Sequence, residues 1–206
     1  MDAVRLYRRP GARGWGTRNH VLVLPLVASA SGIARALARG TGATWVEHDY
    51  EPTPDDLPRN RERIARTLVG FATNPNVGAV LLVADTAERG ALLDPIRATG
   101  QRADLVAVAE AGGLRGAIEQ GRARLAPLLA HAAAARREPA PVSALMLGTE
   151  CGGSDALSGI TANPALGVAS DLLVDAGGTV ILAETTELIG AEHLLARRAA
   201  TPAVAA

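Results

Sequence analysis

Between residues 148 and 193 the chain reads GTECGGSDALSGITANPALGVASDLLVDAGGTVILAETTELIGAEH. This stretch gathers the lone cysteine, two Gly-Gly pairs, a run of small hydroxyl and amide side chains, and glutamates followed by a histidine. Cys151 precedes Gly152-Gly153 at the end of a strand-like run. A backbone that turns on glycines and then enters a helix presents N–H groups that hold anions and favour a thiolate. Cys151 has no evident paired base, so it is either structural or a soft ligand to iron or another divalent metal. Ser154, Asp155, Ser158, Thr161 and Asn163 can cap turns and bond one another, or they can supply partners for a polyhydroxylated ligand. Glu184, Glu187 and His193 follow the apolar run VILA, which places Glu184 at the same sheet edge as Cys151. Carboxylates with a histidine can ligate a divalent cation, or take the proton beside a substrate carboxylate. The alternative is that Glu187 and Glu192 are first-turn acids of the last helix, and for Glu192 alone that reading is preferred.

These residues need elements to hold them, and the pattern upstream supplies a scaffold. The run HVLVLPLV (residues 20–27) is continuously apolar, as a strand covered on both faces requires, and further strands are expected at 43–47, 77–83 and 105–109. Between them the spacing predicts a helix capped by Ser29 or Ser31 and ending near Gly40. A second follows over 55–71 with Ile64, Leu68 and Phe71 inward, a third runs from Asp85 or Thr86 to Thr99, and a fourth covers 114–137. Such alternation predicts an α/β fold: a parallel sheet with helices on both faces, in Rossmann-like layers. The segment RREPAP at 136–141 is polar and rich in proline and reads as a linker. Residues 1–140 then form an N-terminal α/β domain. Residues 141–206 form a C-terminal α/β segment with strands at 143–147 and 179–183 and helices at 163–176 and 188–198, too short to be complete by itself.

The first residues carry Arg5, Arg8, Arg9, Arg13 and Arg18 among glycines. They read either as a solvated arm that forms no core element, or as an arginine-and-backbone clamp for a carboxylate.

Composition excludes several function classes. Apolar residues make up 48% of the 206 and aromatic residues only 2%, so the core is built from Ala, Val, Leu and Ile. A formal net charge of zero argues against nucleic-acid or membrane-surface binding. No lysine occurs, which removes Schiff-base chemistry. One cysteine rules out an internal disulfide framework and fits a reducing cytoplasm. The longest apolar run is too short to span a bilayer, and the expected location is cytoplasmic.

The block from Cys151 to Arg198, CGGSDALSGITANPALGVASDLLVDAGGTVILAETTELIGAEHLLARR, resembles the signature of the altronate/galactarate dehydratase family, which also includes the large subunit of sulfolactate sulfo-lyase. The segments GWGTRNHVLVLPLV and TLVGFATNPNVGAVLLV resemble the same family's opening and middle. The resemblance implies metal-dependent removal of water from a sugar acid such as altronate or galactarate, giving a 2-keto-3-deoxy acid, with iron or manganese as the divalent metal. It implies catalytic roles for Cys151, Glu184, Glu187 and His193, of which Cys151, Glu184 and His193 would be metal ligands. It implies substrate contacts from Arg18, Asn19, Ser154, Asp155, Thr161 and Asn163. Two family elements depart here: His48 is followed by Asp49-Tyr50-Glu51-Pro52 instead of a Gly-Cys pair, and Ala84 to Glu88 lacks the usual cysteine. The chain therefore reads as a fragment or a shortened paralogue, and a companion chain supplying missing domains is the expected partner beside the small-molecule acid. A non-catalytic subunit or acid-binding relative, and a sulfolactate sulfo-lyase-like enzyme, stand as the alternative functions.

Overall fold

The computed structural model describes residues 3–153 and 155–205. They divide into two compact units, a larger one, Val4–Ala140, and a smaller one that begins at Pro141.

The larger unit is built on a four-stranded sheet. Its strands are β3 (His20–Pro25), β4 (Thr44–Trp45), β5 (Val77–Ala84) and β6 (Arg102–Ala107), arranged in the order β4-β3-β5-β6. Every neighbouring pair is parallel. The helices between and after the strands are α1 (Ser31–Ala38), α2 (Pro58–Thr73), α3 (Leu93–Ala98) and α4 (Leu114–Ala134). Side chains alternate across a strand, and the sheet sorts them accordingly. Val21 and Val23 of β3 and Leu81 and Val83 of β5 pack on one face with α1 and α4. Leu22 and Leu24, with Val80 and Leu82, pack on the other with α2 and α3. All eight residues of β5 are buried, which is why its sequence is an unbroken apolar run. The expected α/β architecture with helices on both faces is therefore present. Gly121 lets α4 approach α1, because a Cβ there would meet Leu37 Cδ1 at 2.7 Å.

Several expectations change. Neither Ser29 nor Ser31 caps α1; Ser31 Oγ donates instead to the His48 carbonyl at 3.1 Å. The helix expected from Asp85 or Thr86 is a 3-10 turn at Glu88–Leu92 leading into the short α3. Phe71 is 45% exposed, and Leu68 and Ala72 fill the inner face of α2 in its place.

The largest correction concerns the amino-terminal residues and the supposed linker. Strand β1 (Ala3–Arg8) lies between β2 (Trp15–Gly16) and β7 (Glu138–Pro141) in a second sheet. The sequence concealed it because its stabilising partners are arginines on backbone carbonyls, not a hydrophobic stripe. Arg137 donates to the carbonyls of Arg5 and Thr17, both at 2.8 Å, and its guanidinium lies 4.7 Å from the Tyr7 ring centroid. Arg5 returns a bond to the Arg137 carbonyl at 2.7 Å. Arg9 is only 7% exposed and donates to Pro75 O, Asn19 Oδ1 and Arg18 O at 2.6, 2.9 and 2.8 Å. Charge-assisted bonds of this kind contribute about 1.5–3 kcal/mol each, enough to anchor a strand that buries little apart from Leu6.

The smaller unit contains β8 (Met146–Thr149), α5 (Ala162–Asp175), β9 (Thr179–Leu182) and the short helices α6 (Glu192–Ala196) and α7 (Pro202–Ala205). Strands β8 and β9 pair in parallel, Met146 opposite Thr179 through Thr149 opposite Leu182. Helix α5 stops where Gly177 adopts a left-handed φ of 84°, with Gly177 N donating to Val174 O and Gly178 N to Leu173 O at 2.8 Å. No residue of α5 is buried. Among the described residues no helix is long and apolar enough to cross a membrane.

Candidate functional site

Parallel strands β8 and β9 end side by side, so the loops that leave them share one edge of the small sheet. Cys151 lies two residues beyond β8 and Glu184 two residues beyond β9. Glu184 Oε2 accepts a hydrogen bond from the Cys151 backbone N–H at 2.7 Å, a direct tie between the two loops. Glu184 holds a left-handed backbone, φ 59° and ψ 46°, the one positive φ outside glycine among the described residues. A non-glycine residue in that region costs about 1–2 kcal/mol, and such positions concentrate where function fixes a side chain's direction.

Around this tie lies a cavity of about 340 Å³. Cys151, Gly152, Gly153, Asn163, Glu184 and Glu187 all line it. Its opening is flanked by the start of α5, but Gly152-Gly153 does not lead straight into that helix as expected. A turn region intervenes, and the Asn163 N–H already donates to the Ser158 carbonyl at 2.9 Å. The anion-binding potential of the loop therefore rests on the glycines and side chains, not on the bare end of the helix.

The remaining predicted residues sort by what holds them. Asp155 Oδ1 accepts from the N–H groups of Leu157 and Ser158 at 2.7 and 2.9 Å and from Ser158 Oγ at 3.3 Å. Those donors, the Leu157 amide foremost, hold its carboxyl below the usual range. Thr161 Oγ1 donates to the Leu157 carbonyl at 2.9 Å. Both thus act within the turn, as capping residues do, and neither lines the cavity. Ser154 lies outside the described residues. His193 is exposed on α6 and is likewise absent from the cavity wall. Glu192 accepts from Gly190 N–H at 3.0 Å, the local role expected of it. Among the described residues, no three His, Cys, Asp or Glu side chains come together as a metal-ion site.

Arg18 and Asn19 belong to the larger unit. Asn19 is held there from both ends of its amide: Oδ1 accepts from Arg9 and Nδ2 donates to the Ala132 carbonyl at 2.7 Å. Arg18 is exposed, and its carbonyl serves Arg9.

The larger unit also gathers polar groups at the carboxyl edge of its own sheet, between β3 and β5, where connections leave to opposite faces and doubly wound sheets take their ligands. Ser29 N donates to Glu51 Oε2 at 2.9 Å, Ala28 N to the Tyr50 carbonyl at 2.8 Å, and Ala87 N to Glu110 Oε1 at 2.9 Å. His48 stacks on Tyr50 with ring centroids 6.3 Å apart, and its buried Nε2 has no hydrogen-bond partner. The two segments that depart from the family pattern, 48–52 and 84–88, both lie at this edge. Their departures are visible in the sequence; their shared edge is not.

Known proteins resemble this chain along nearly its whole length. Residues 6–133 match the family described as D-galactarate dehydratase/Altronate hydrolase, second domain, and residues 142–206 match D-galactarate/Altronate dehydratase, C-terminal. The (2R)-sulfolactate sulfo-lyase subunit beta of Chromohalobacter salexigens is 37% identical over 196 residues, 94% of this chain and 49% of that protein. Altronate dehydratase of Bacillus subtilis is 34% identical over 202 residues, 92% of this chain and 40% of that enzyme. The galactarate dehydratase (L-threo-forming) of Escherichia coli is 59% identical over 64 residues, 31% of this chain and 12% of its own length. The chain spans about half or less of the length of these relatives. With both of its units matched, the chain belongs to the D-galactarate/altronate dehydratase family.

Proposed function

We propose that this chain is the part of a lyase that binds a hydroxylated acid such as altronate or galactarate and helps eliminate water to give a 2-keto-3-deoxy acid. The observation that carries the reading is the Cys151–Glu184 tie at the mouth of a cavity of about 340 Å³, in a chain matched by two domains of the dehydratase family. In such an elimination a proton leaves the carbon beside the carboxylate, its electron pair forms the carbon–carbon double bond, and the neighbouring hydroxyl departs with a proton as water. The enol then tautomerises to the keto acid. Glu187 lines the cavity with no hydrogen bond from its side chain among those described, which suits a proton acceptor. Asn163 lines the same cavity and offers both a donor and an acceptor to substrate hydroxyls. Glu184 is a positioning residue that holds the Cys151 loop.

The iron or manganese implied by the family fits these residues incompletely. Cys151 and Glu184 are two donors, and no third described side chain joins them as a ligand, so no step above passes through a metal. The rest of the centre is supplied by further polypeptide, either a companion chain or additional domains. Two facts support that view: the relatives are about twice as long or longer, and the small unit leaves Leu172 66% and Ile189 77% exposed. A second reading, elimination of sulfite from sulfolactate, is favoured by the 37% identity to the sulfo-lyase subunit and differs only in the leaving group.

The test is to incubate the protein, with iron or manganese supplied, with altronate, galactarate and (2R)-sulfolactate, and to measure 2-keto acid and sulfite. Saturable binding of a sugar acid to the chain alone is the expected result, with release of 2-keto acid, abolished by Glu187→Gln, once the further polypeptide is supplied. Sulfite release selects the second reading. If no substrate is turned over and none shows saturable binding, the proposal fails.

A further inference from the structure

At the opposite, amino edge of the larger unit's sheet, a cavity of about 460 Å³ is lined by Arg8, Arg9, Arg13, Arg97, Arg102 and His131 and by no carboxylate. The strand starts frame it, through Gly78 of β5 and Arg102 of β6. Such a concentration of cations is unusual in a chain whose overall charge is zero and calls for a counter-charge.

Internal partners do not supply one. Arg9 and Arg13 form the inner wall, and their described bonds go to uncharged groups: Arg9 to two carbonyls and the Asn19 amide, and Arg13 to the carbonyls of Thr73, Asn74 and Val77 at 2.9, 3.1 and 2.7 Å. Carbonyls orient the guanidinium groups without neutralising them. Arg8 and Arg102 are exposed, and neither forms an ion pair among the described residues. Arg8 is held by the Trp15 ring, 5.2 Å from the centroid, which stiffens it against the cavity mouth. Among the described residues only Arg97 of this set has a carboxylate partner, and Asp104 stands 3.8 Å from it but 3.0 Å from Arg124. Burial foremost, with a smaller push from the neighbouring Arg9 charge, holds Arg13 down at about 10.

The floor is fixed as well. Gln101 is 3% exposed and donates through Nε2 to the Ala72 carbonyl at 2.8 Å. At Gly100, with φ 80°, a Cβ would come within 2.8 Å of Pro10, so the wall there closes only around glycine. The arrangement is preorganised: carbonyl-anchored guanidiniums at the back, Arg9 buried and Arg13 half-buried, and at the rim two with no ion pair among the described residues.

We propose that this cavity is a binding site for a small doubly charged oxyanion, with Arg8 and Arg102 closing on it from the rim while Arg9 and Arg13 supply the field from behind. Planar guanidinium groups match phosphate and carboxylate oxygens in pairs, so inorganic phosphate, a phosphorylated metabolite and a short dicarboxylate share the required chemistry.

The test is isothermal titration of the full chain with phosphate, sulfate and malonate, at ionic strength held constant with sodium chloride. Saturable one-site binding is expected, and Arg8→Gln and Arg102→Gln should each weaken it about tenfold, the loss of one charge-assisted contact. Among the described residues neither side chain forms a hydrogen bond or an ion pair, Arg8 only stacking on Trp15, and circular dichroism would verify that both variants remain folded. Arg59→Gln, on the exposed start of α2, should bind as the parent does. Phosphate and sulfate binding without malonate would assign a phosphoryl ligand, and tighter malonate binding a dicarboxylate. Heat no larger than the chloride blank, full affinity in both rim variants, or binding of polyglutamate without any small anion would each overturn the proposal.

Discussion

Replacing Glu184 by alanine and by glycine separates two effects that the structure superimposes at one residue. The wild-type side chain accepts the Cys151 N–H bond at 2.7 Å, while its backbone holds φ 59°. Either substitution removes the bond, a loss of about 1 kcal/mol for an exposed acceptor. Alanine retains the left-handed cost, whereas glycine relieves about 1 kcal/mol of it. Glu184→Ala should therefore be about 1 kcal/mol less stable than the parent and Glu184→Gly nearly isostable with it. In a unit of this size that gap is a difference in Tm of about 4–8 °C. Urea and thermal unfolding followed by circular dichroism would read the order, and hydrogen exchange at the Cys151 amide would read the bond itself. Exchange should accelerate in both variants. If alanine proves as stable as glycine, or if the Cys151 amide exchanges no faster in either variant, the account of the two loops is wrong.

Leu81→Ala empties a fully buried position in the middle of β5 and should cost about 2–5 kcal/mol, measured by urea unfolding of the larger unit; a loss under 1 kcal/mol would contradict the packing described. Asp155 has a depressed folded-state carboxyl, so its contribution to the turn is present above the ordinary aspartate range near pH 4 and lost as pH falls through the lower folded value. Amide exchange at Leu157 and Ser158 should therefore lose protection on acidification in the parent and at every pH in Asp155→Ala. Unchanged protection in the variant would refute the capping role.

Sequence patterning reveals the layered core because it depends on period-two burial along β3 and β5 and on helical spacing in α2 and α4. It also places Cys151 and Glu184 on one edge, since residues just beyond two parallel strands must emerge together. Other features depend on partners remote in sequence. Strand β1 owes its place to Arg137 and Arg9 bonds that join residues far apart in the chain, and hydrophobic periodicity carries no trace of them. Asn19 appears in a segment suggestive of substrate contact, yet its amide is held by Arg9 and by the Ala132 carbonyl at the far end of α4. Asp155 and Thr161 satisfy neighbours within the turn, the alternative that their residue types left open.

The pairing of β1 with β7 has a consequence for how this unit travels in evolution. The strands at which the larger unit begins and finishes lie side by side in one sheet, which keeps its two chain ends within about a strand's length of each other. A module with adjoining ends can be spliced as a cassette between other domains, with little demand on linker length. Grafting residues 4–140 into an exposed loop of an unrelated host protein should therefore leave both partners folded.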